Sequence, residues 1–240
     1  MKRKNTILIA AVSLLSFAGC MDRTGDVLVA ADGTVMEGEL QTIGAGSAVF
    51  SHGAVDLPDH GRVWGLDGRT FSGEVMVSAE TASAGSHSIP RDSVYLIIWE
   101  NSENDIEIKS ETFEVDAAFG WLDTGIELEL GEILSLRSTG TVVTETGTAD
   151  PQGQEKYSSS VSLVPAATSG ELVFQIGADG VPVAAGDCWI GESPGTGSLM
   201  LAVNVPLEGS MDSRGVYSVM VEAGTYARRP GTVVFYPADR

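Results

Sequence analysis

The chain has 240 residues, and its 33 Asp and Glu stand against 14 Lys and Arg, a formal charge of −19. That balance argues against nucleic acid as a partner, because duplex affinity comes mainly from cationic side chains that release counterions from phosphate, and equally against an anionic membrane surface as the main contact. With 43% apolar and 20% charged residues the chain has enough material for a core. Its 29 glycines, without long Ala/Leu/Glu/Lys stretches, point to β-structure with many turns.

Lys2, Arg3 and Lys4 form a positive start, Ile7 to Phe17 a nearly unbroken apolar run, and Phe17-Ala18-Gly19-Cys20 follows directly. This is the layout of a secretory signal, too short for a permanent membrane span. Its last four residues resemble the lipobox of bacterial lipoproteins, with Phe17 where Leu is usual. The resemblance implies that residues 1–19 are a signal peptide, that Cys20 is acylated with palmitate-type chains and becomes the N-terminus, and that residues 20–25 tether a protein of the cell envelope to the lipid bilayer. Two or three acyl chains anchor stably where one is marginal. Met21 in place of Asp favours the outer over the inner membrane of a Gram-negative cell. The plainer reading is an ordinary signal peptide with an incidental Cys. With Cys20 lipidated, Cys188 is the one remaining thiol and no intramolecular disulfide can form. Beside Trp189, it reads either as a core thiol or as an intermolecular link.

Residues 26–100 read as a small duplicated β domain. Val27 to Leu40 is strand, Asp32-Gly33 turn, strand, and Asp-Gly between apolar runs is a strong hairpin signal. The phrase returns 35 residues later at Asp67-Gly68, where Gly73-Glu74 repeats Gly38-Glu39. Each copy is followed by an apolar-Pro pair, Leu57-Pro58 and Ile89-Pro90, and the second ends in the run Val94 to Trp99. Two copies fall short of the three or more that an open solenoid needs. The D-G-x-x-x-x-G-E phrase followed by Ile89 to Val94 loosely resembles small SH3-like or Sm-like barrels. His52, His60 and His87 all lie here, with Asp56 and Asp59 nearby. Their spacing fits no zinc pattern, and their small, turn-forming neighbours mark them as solvated loop residues.

The polar segment 101–110 reads as a linker, although Ile106/Ile108 and Phe113/Val115 alternate as strand edges do. Residues 111–224 carry strand-like runs at Thr112–Ala117, Ile126–Leu130, Ile133–Arg137, Val161–Val164, Leu172–Ile176, Leu199–Val205 and Val216–Val221. Leu199, Leu201, Val203 and Val205 alternate with Met200, Ala202 and Asn204, the period of a strand with one buried face. About seven strands, Gly-rich turns and no convincing helix predict an all-β fold, with an antiparallel β-sandwich of jelly-roll type following the barrel-like first unit. Residues 225–240 form a C-terminal extension with room for one added strand.

Within the sandwich, Trp121 to Ile126, Gly131-Glu132, Ser138 to Gly140, Pro151 to Gly153, Gly170 to Gly177 and the segment Asn204 to Tyr217 resemble, in order and spacing, the PA-IL-like galactose-binding lectin domain. That family binds galactose through Ca²⁺ held by a backbone carbonyl and by an Asp and Asn side chains before the last strand. The resemblance places the carbonyl at Val143 or Thr144 and the leading Asp at Asn204; the Asn pair falls near Asp212 and Ser213, the sugar-contacting His near Tyr157 and the Gln near Ser160. Calcium wants six to eight hard oxygens, and Asn204, Glu208 and Asp212 are the donors left to hold it, with Arg214 bringing a cation beside them. Trp189, Tyr157 and Tyr217 are candidate aromatic platforms for a pyranose ring, whereas Trp121, at a strand start, reads as core. Gly191-Glu192-Ser193-Pro194-Gly195 matches G-x-S-x-G by letters, yet Pro194, the absent helix and the lack of any later His make it a turn.

No nucleophile–base pair or nucleotide loop emerges. The sequence therefore reads as a membrane-anchored, non-catalytic module recognising a glycan or an envelope component. The alternative is a structural or assembly lipoprotein that makes protein contacts and binds no sugar.

Overall fold

The structure, a computed structural model, describes residues 26–29, 35–38, 40–44, 47–50, 53–58, 60–100, 108–154, 162–206, 212–224 and 233–237. Cys20, and the signal and tether around it, lie outside these residues. Among the described residues there are 21 strands in four antiparallel sheets and no α-helix.

The duplication governs the first two sheets. Strands β1 (Asp26–Val29) and β2 (Val35–Gly38) pair in the first sheet, and β3 (Leu40–Gly44), β4 (Ser47–Phe50) and β5 (Gly53–Asp56) meander in the second. The second copy repeats this: β6 (His60–Gly65) and β7 (Thr70–Gly73) pair in the first sheet, and β8 (Val75–Val77), β9 (Thr81–Ala84) and β10 (His87–Pro90) meander in the second. The two meanders meet at Ile43 and Val77, which gives the order β10-β9-β8-β3-β4-β5. The Asp67-Gly68 turn joins β6 to β7 as the hairpin signal requires, with Gly68 at φ +72°, a left-handed conformation that favours Gly.

The chain returns to this unit at its far end. After β11 (Val94–Glu100), which pairs with β6, the centre of the first sheet is filled by β21 (Val233–Tyr236), giving β2-β1-β21-β11-β6-β7. The added strand of the extension thus sits between β1 and β11. The register shows what it replaces: Leu28 opposes Phe235 as Val63, 35 residues on, opposes Ile97. Strand β21 gives the first copy the neighbour that β11 gives the second. The core between the sheets holds Leu28, Val63, Ile97, Trp99, Val233 and Phe235 from one side and Leu40, Ile43, Val75, Val77 and Ala82 from the other. A buried clasp closes one end: Asp26 Oδ2 accepts from the Leu40 N–H (2.9 Å) and from Arg91 Nη2 (2.5 Å), while Arg91 Nη1 donates to the Leu40 carbonyl (3.3 Å).

The other face of the first sheet is buried too. Trp64, Leu96, Ile98 and Val234 pack against Ile133 of the sandwich, with Ile108 and Ile190 partly covered alongside. Burial on both faces explains why Val94 to Trp99 reads as one apolar run rather than an alternation. Around this contact Ser135 Oγ donates to the Gly68 carbonyl (2.9 Å) and Thr70 Oγ1 to the Glu222 carboxylate (3.1 Å). Cys188 Sγ lies 3.5 Å from the Leu66 carbonyl.

The sandwich comprises β12 (Ile108–Asp116), β13 (Leu122–Leu128), β14 (Ile133–Thr144), β15 (Gly147–Ala149), β16 (Leu172–Ile176), β17 (Val183–Ala184), β18 (Cys188–Glu192), β19 (Gly197–Val203) and β20 (Arg214–Gly224). The third sheet runs β12-β20-β14-β15 and the fourth β13-β19-β16-β17. Strand β14 is the long member: β20 pairs along one edge, while β18 and β15 divide the other. Alternate residues enclose the core, among them Leu134, Leu136, Tyr217, Val219 and Val221 facing Ile126, Phe174, Leu199, Leu201 and Val203.

Two boundaries differ from the sequence reading. Strand β12 begins at Ile108, inside the segment 101–110 read as a linker, because Ile108 already packs against the first unit. The described part of the run 161–164 is not a strand: Ser162 makes only an isolated bridge to Pro206, and the Val164 N–H goes to the Asn204 side chain rather than to a ladder. Leu163 and Val164 instead cap the outer face of the fourth sheet with Ala167 and Trp121 over Val173 and Ala202, Trp121 packing against this cluster partly buried.

Candidate functional site

Strand β14 starts at the contact with the first unit and ends, eleven residues on, at Thr144. At that far end it meets the start of β20, where Val143 opposes Arg214, and the loops after β15 and β19. The side chains gathered there are small and hydroxylic. Thr144 Oγ1 and Thr146 Oγ1 are 2.9 Å apart, and Thr146 Oγ1 lies 3.0 Å from Ser169 Oγ. Ser162, Ser169 and Ser213 are all buried, and Ser162 Oγ, Ser213 Oγ and Gln154 Oε1 have no hydrogen-bond partner among the described residues. A buried polar atom without a protein partner costs on the order of 1–3 kcal/mol, so such atoms are normally met by water, an ion or a ligand.

Two buried residues hold this end together. Asn204 is fully buried; its Oδ1 accepts the Val164 N–H (2.9 Å) and its Nδ2 donates to the carbonyls of Val164 (3.1 Å) and Thr168 (2.9 Å). Its own carbonyl accepts the Gly170 N–H (2.8 Å), tying β19 to the loop that carries Ser169. Tyr217 is likewise fully buried, and its hydroxyl donates to the carbonyls of Asp150 (2.6 Å) and Gly170 (2.7 Å). Burial, with Asp150 adding to it, raises the phenol well above its ordinary range. Tyr217 is therefore a brace beneath this end rather than the sugar platform its aromatic ring suggested.

The structure brings together only part of the set read from the sequence. Asn204 and Asp212 share this end, Asp212 exposed at the entry to β20. Glu208, Tyr157 and Ser160 lie outside the described residues. Trp189 belongs elsewhere: it opposes Leu136 near the other end of β14, half-buried, its ring 4.7 Å from Phe174 at 60°. The ring also lies over Gly191, where an added Cβ would come within 2.7 Å of it. Among the described residues no three His, Cys, Asp or Glu side chains gather as metal ligands would. The hydroxyls of Thr144, Thr146 and Ser169 were missed, because Ser and Thr in turns are too common to single out.

Other expectations are placed as well. His60 and His87 are exposed on strands, His87 stacked on Phe71 at 5.0 Å, and His52 and Asp59 lie outside the described residues. Ser193 turns the chain, its Oγ donating to the Gly195 carbonyl (2.8 Å). Burial, followed by Asp187 and Asp67, pushes the Cys188 thiol up. Asp123 is held below the usual carboxylate range by hydrogen bonds from Ser198 and the Gly125 N–H.

The assembly as a whole is an all-β, multi-sheet protein built on antiparallel pairing, with its second unit a β-sandwich. No family model matches the chain, and no curated protein does. Among solved structures it is similar to the EclA N-terminal domain, described as a PllA-like lectin, at 22% identity and a TM-score of 0.39, over 51% of this chain and 99% of that one.

Proposed function

We propose that this is a lipid-anchored, extracytoplasmic, non-catalytic module that binds a glycan at the polar end of its sandwich. The observation that supports the reading is the group of buried polar atoms of Ser162, Ser213 and Gln154, which have no partner among the described residues, at the same end of the sandwich as the Thr144, Thr146 and Ser169 hydroxyls and remote from the first unit. Sugars are recognised by donors and acceptors of this kind in a pre-formed site. Acylated Cys20, six residues before the clasped Asp26, would hold the first unit within about 20 Å of the bilayer, given a reach of about 3.5 Å per residue, and leave the polar end outermost. Calcium, if it takes part, would draw on Glu208 and Asp212 more than on Asn204, whose side chain already serves three backbone groups.

Calorimetry of the chain from Met21 onward, which retains every described residue, tests the glycan. Heat with galactosides, with or without calcium, is the expected outcome; silence across a glycoside panel would leave the protein-contact reading in its place. For the anchor, palmitate incorporated into the full chain should vanish in Cys20→Ser.

A further inference from the structure

Phe119 is 81% exposed, while every other aromatic side chain whose burial is described is buried or packed partly against a core. One exposed apolar residue is ordinary; the turn that carries this one is not loose. Asp116 Oδ1 accepts the Ala118 N–H (2.8 Å), the Asp116 carbonyl accepts the Phe119 N–H (3.3 Å), and the Ala117 N–H donates across to the Gly215 carbonyl (3.1 Å). Gly215 lies two residues beyond Ser213 on the same segment, and Asp212 and Arg214 beside it are exposed. An exposed ring on a hydrogen-bonded turn therefore stands at the rim of the polar end, on the turn bonded to the segment that carries Asp212, Arg214 and the buried Ser213 hydroxyl, which has no partner among the described residues.

We infer that Phe119 is the stacking platform of this site, taking the apolar C–H face of a terminal pyranose while Asp212, Ser213 and Arg214 meet its hydroxyls. This inference rests on the glycan reading above. Pyranoses present one face of contiguous C–H groups and an edge of hydroxyls, so an aromatic face beside short polar side chains matches both halves of the ligand. It also supplies a platform where Trp189 and Tyr217 are occupied with the core.

The test is titration of the chain from Met21 onward with methyl β-galactoside, methyl α-mannoside and chitobiose, repeated on three variants. Phe119→Ala should weaken binding about tenfold with an unchanged melting temperature, because the ring contributes nothing to a core. Phe119→Trp should retain binding. Val181→Ala, equally exposed at 81% but in the loop after β16 at the opposite end, should change nothing. If the parent chain binds a glycoside and Phe119→Ala binds it equally well, the platform assignment falls and the glycan reading stands. If the parent binds none of the probes, both fall.

Discussion

The two units of this protein close in different ways. The sandwich closes within one stretch of chain, from β12 to β20, with each sheet assembled from its own residues. The first unit does not: its two copies supply two hairpins and two meanders, but only the second copy supplies the strand that follows, and the first receives it from Val233–Tyr236 at the other end of the chain. A duplicated unit thus need not be a self-sufficient one, and here its missing piece arrives from beyond the sandwich, which is complete without it.

The sharpest way to break that comparison is to end the chain at Gly224. Losing β21 removes Val233 and Phe235 from the core and splits β1 from β11, at a cost above about 5 kcal/mol, comparable with the stability of a small domain. Hydrogen exchange should then show residues 26–100 unprotected and β14 and β20 still protected; equal protection in both would sink the argument. Asp26→Ala comes next. It leaves the mostly buried Arg91 guanidinium without its carboxylate, and removing one partner of a buried pair costs about 3–5 kcal/mol. Urea unfolding should place that loss in the first unit and spare the sandwich. Asn204→Ala inverts the pattern, loosening the 163–171 loop by about 2–3 kcal/mol through unpaired backbone groups, with faster exchange at Val164 as the readout.

The smallest effect is alkaline. Because folding raises the Tyr217 phenol, the stabilising contribution is complete below the unfolded-state value near 10 and is lost progressively as pH rises beyond it, since the unfolded chain then binds fewer protons. Tyr217→Phe should be less stable at neutral pH by about 1 kcal/mol and should flatten the decline in melting temperature above pH 10. A parallel decline in both proteins would assign the slope to other groups.

Much of this architecture was legible from the residues. The Asp-Gly turns and their 35-residue offset marked the duplication, and the alternation from Leu199 to Val205 marked a half-buried strand. What escaped notice depends on contacts distant in sequence. Nothing in Val233-Val234-Phe235-Tyr236 says that its neighbours are Val27–Val29 and Ile97–Trp99, because β pairing is decided by the whole sheet and not by four residues. Strand β18 went unread because its burial does not alternate: Cys188, Trp189 and Ile190 are all half-buried and Gly191 follows them buried. Asn204 shows the limit at the site itself: an Asn before a loop rich in oxygen donors has the same letter whether it offers its side chain outward or, as here, is buried and holds the separate 163–171 loop.

Strand β14 carries one more consequence. It is continuous for 12 residues, about 40 Å at the usual rise of a strand, with the first unit at its start and the polar end at its finish. Were Cys20 acylated and the polar end occupied, as proposed above, traction between the two would run along this strand. Its ladder to β20 lies crosswise to such a pull, so the bonds would be loaded together in shear instead of peeling one by one.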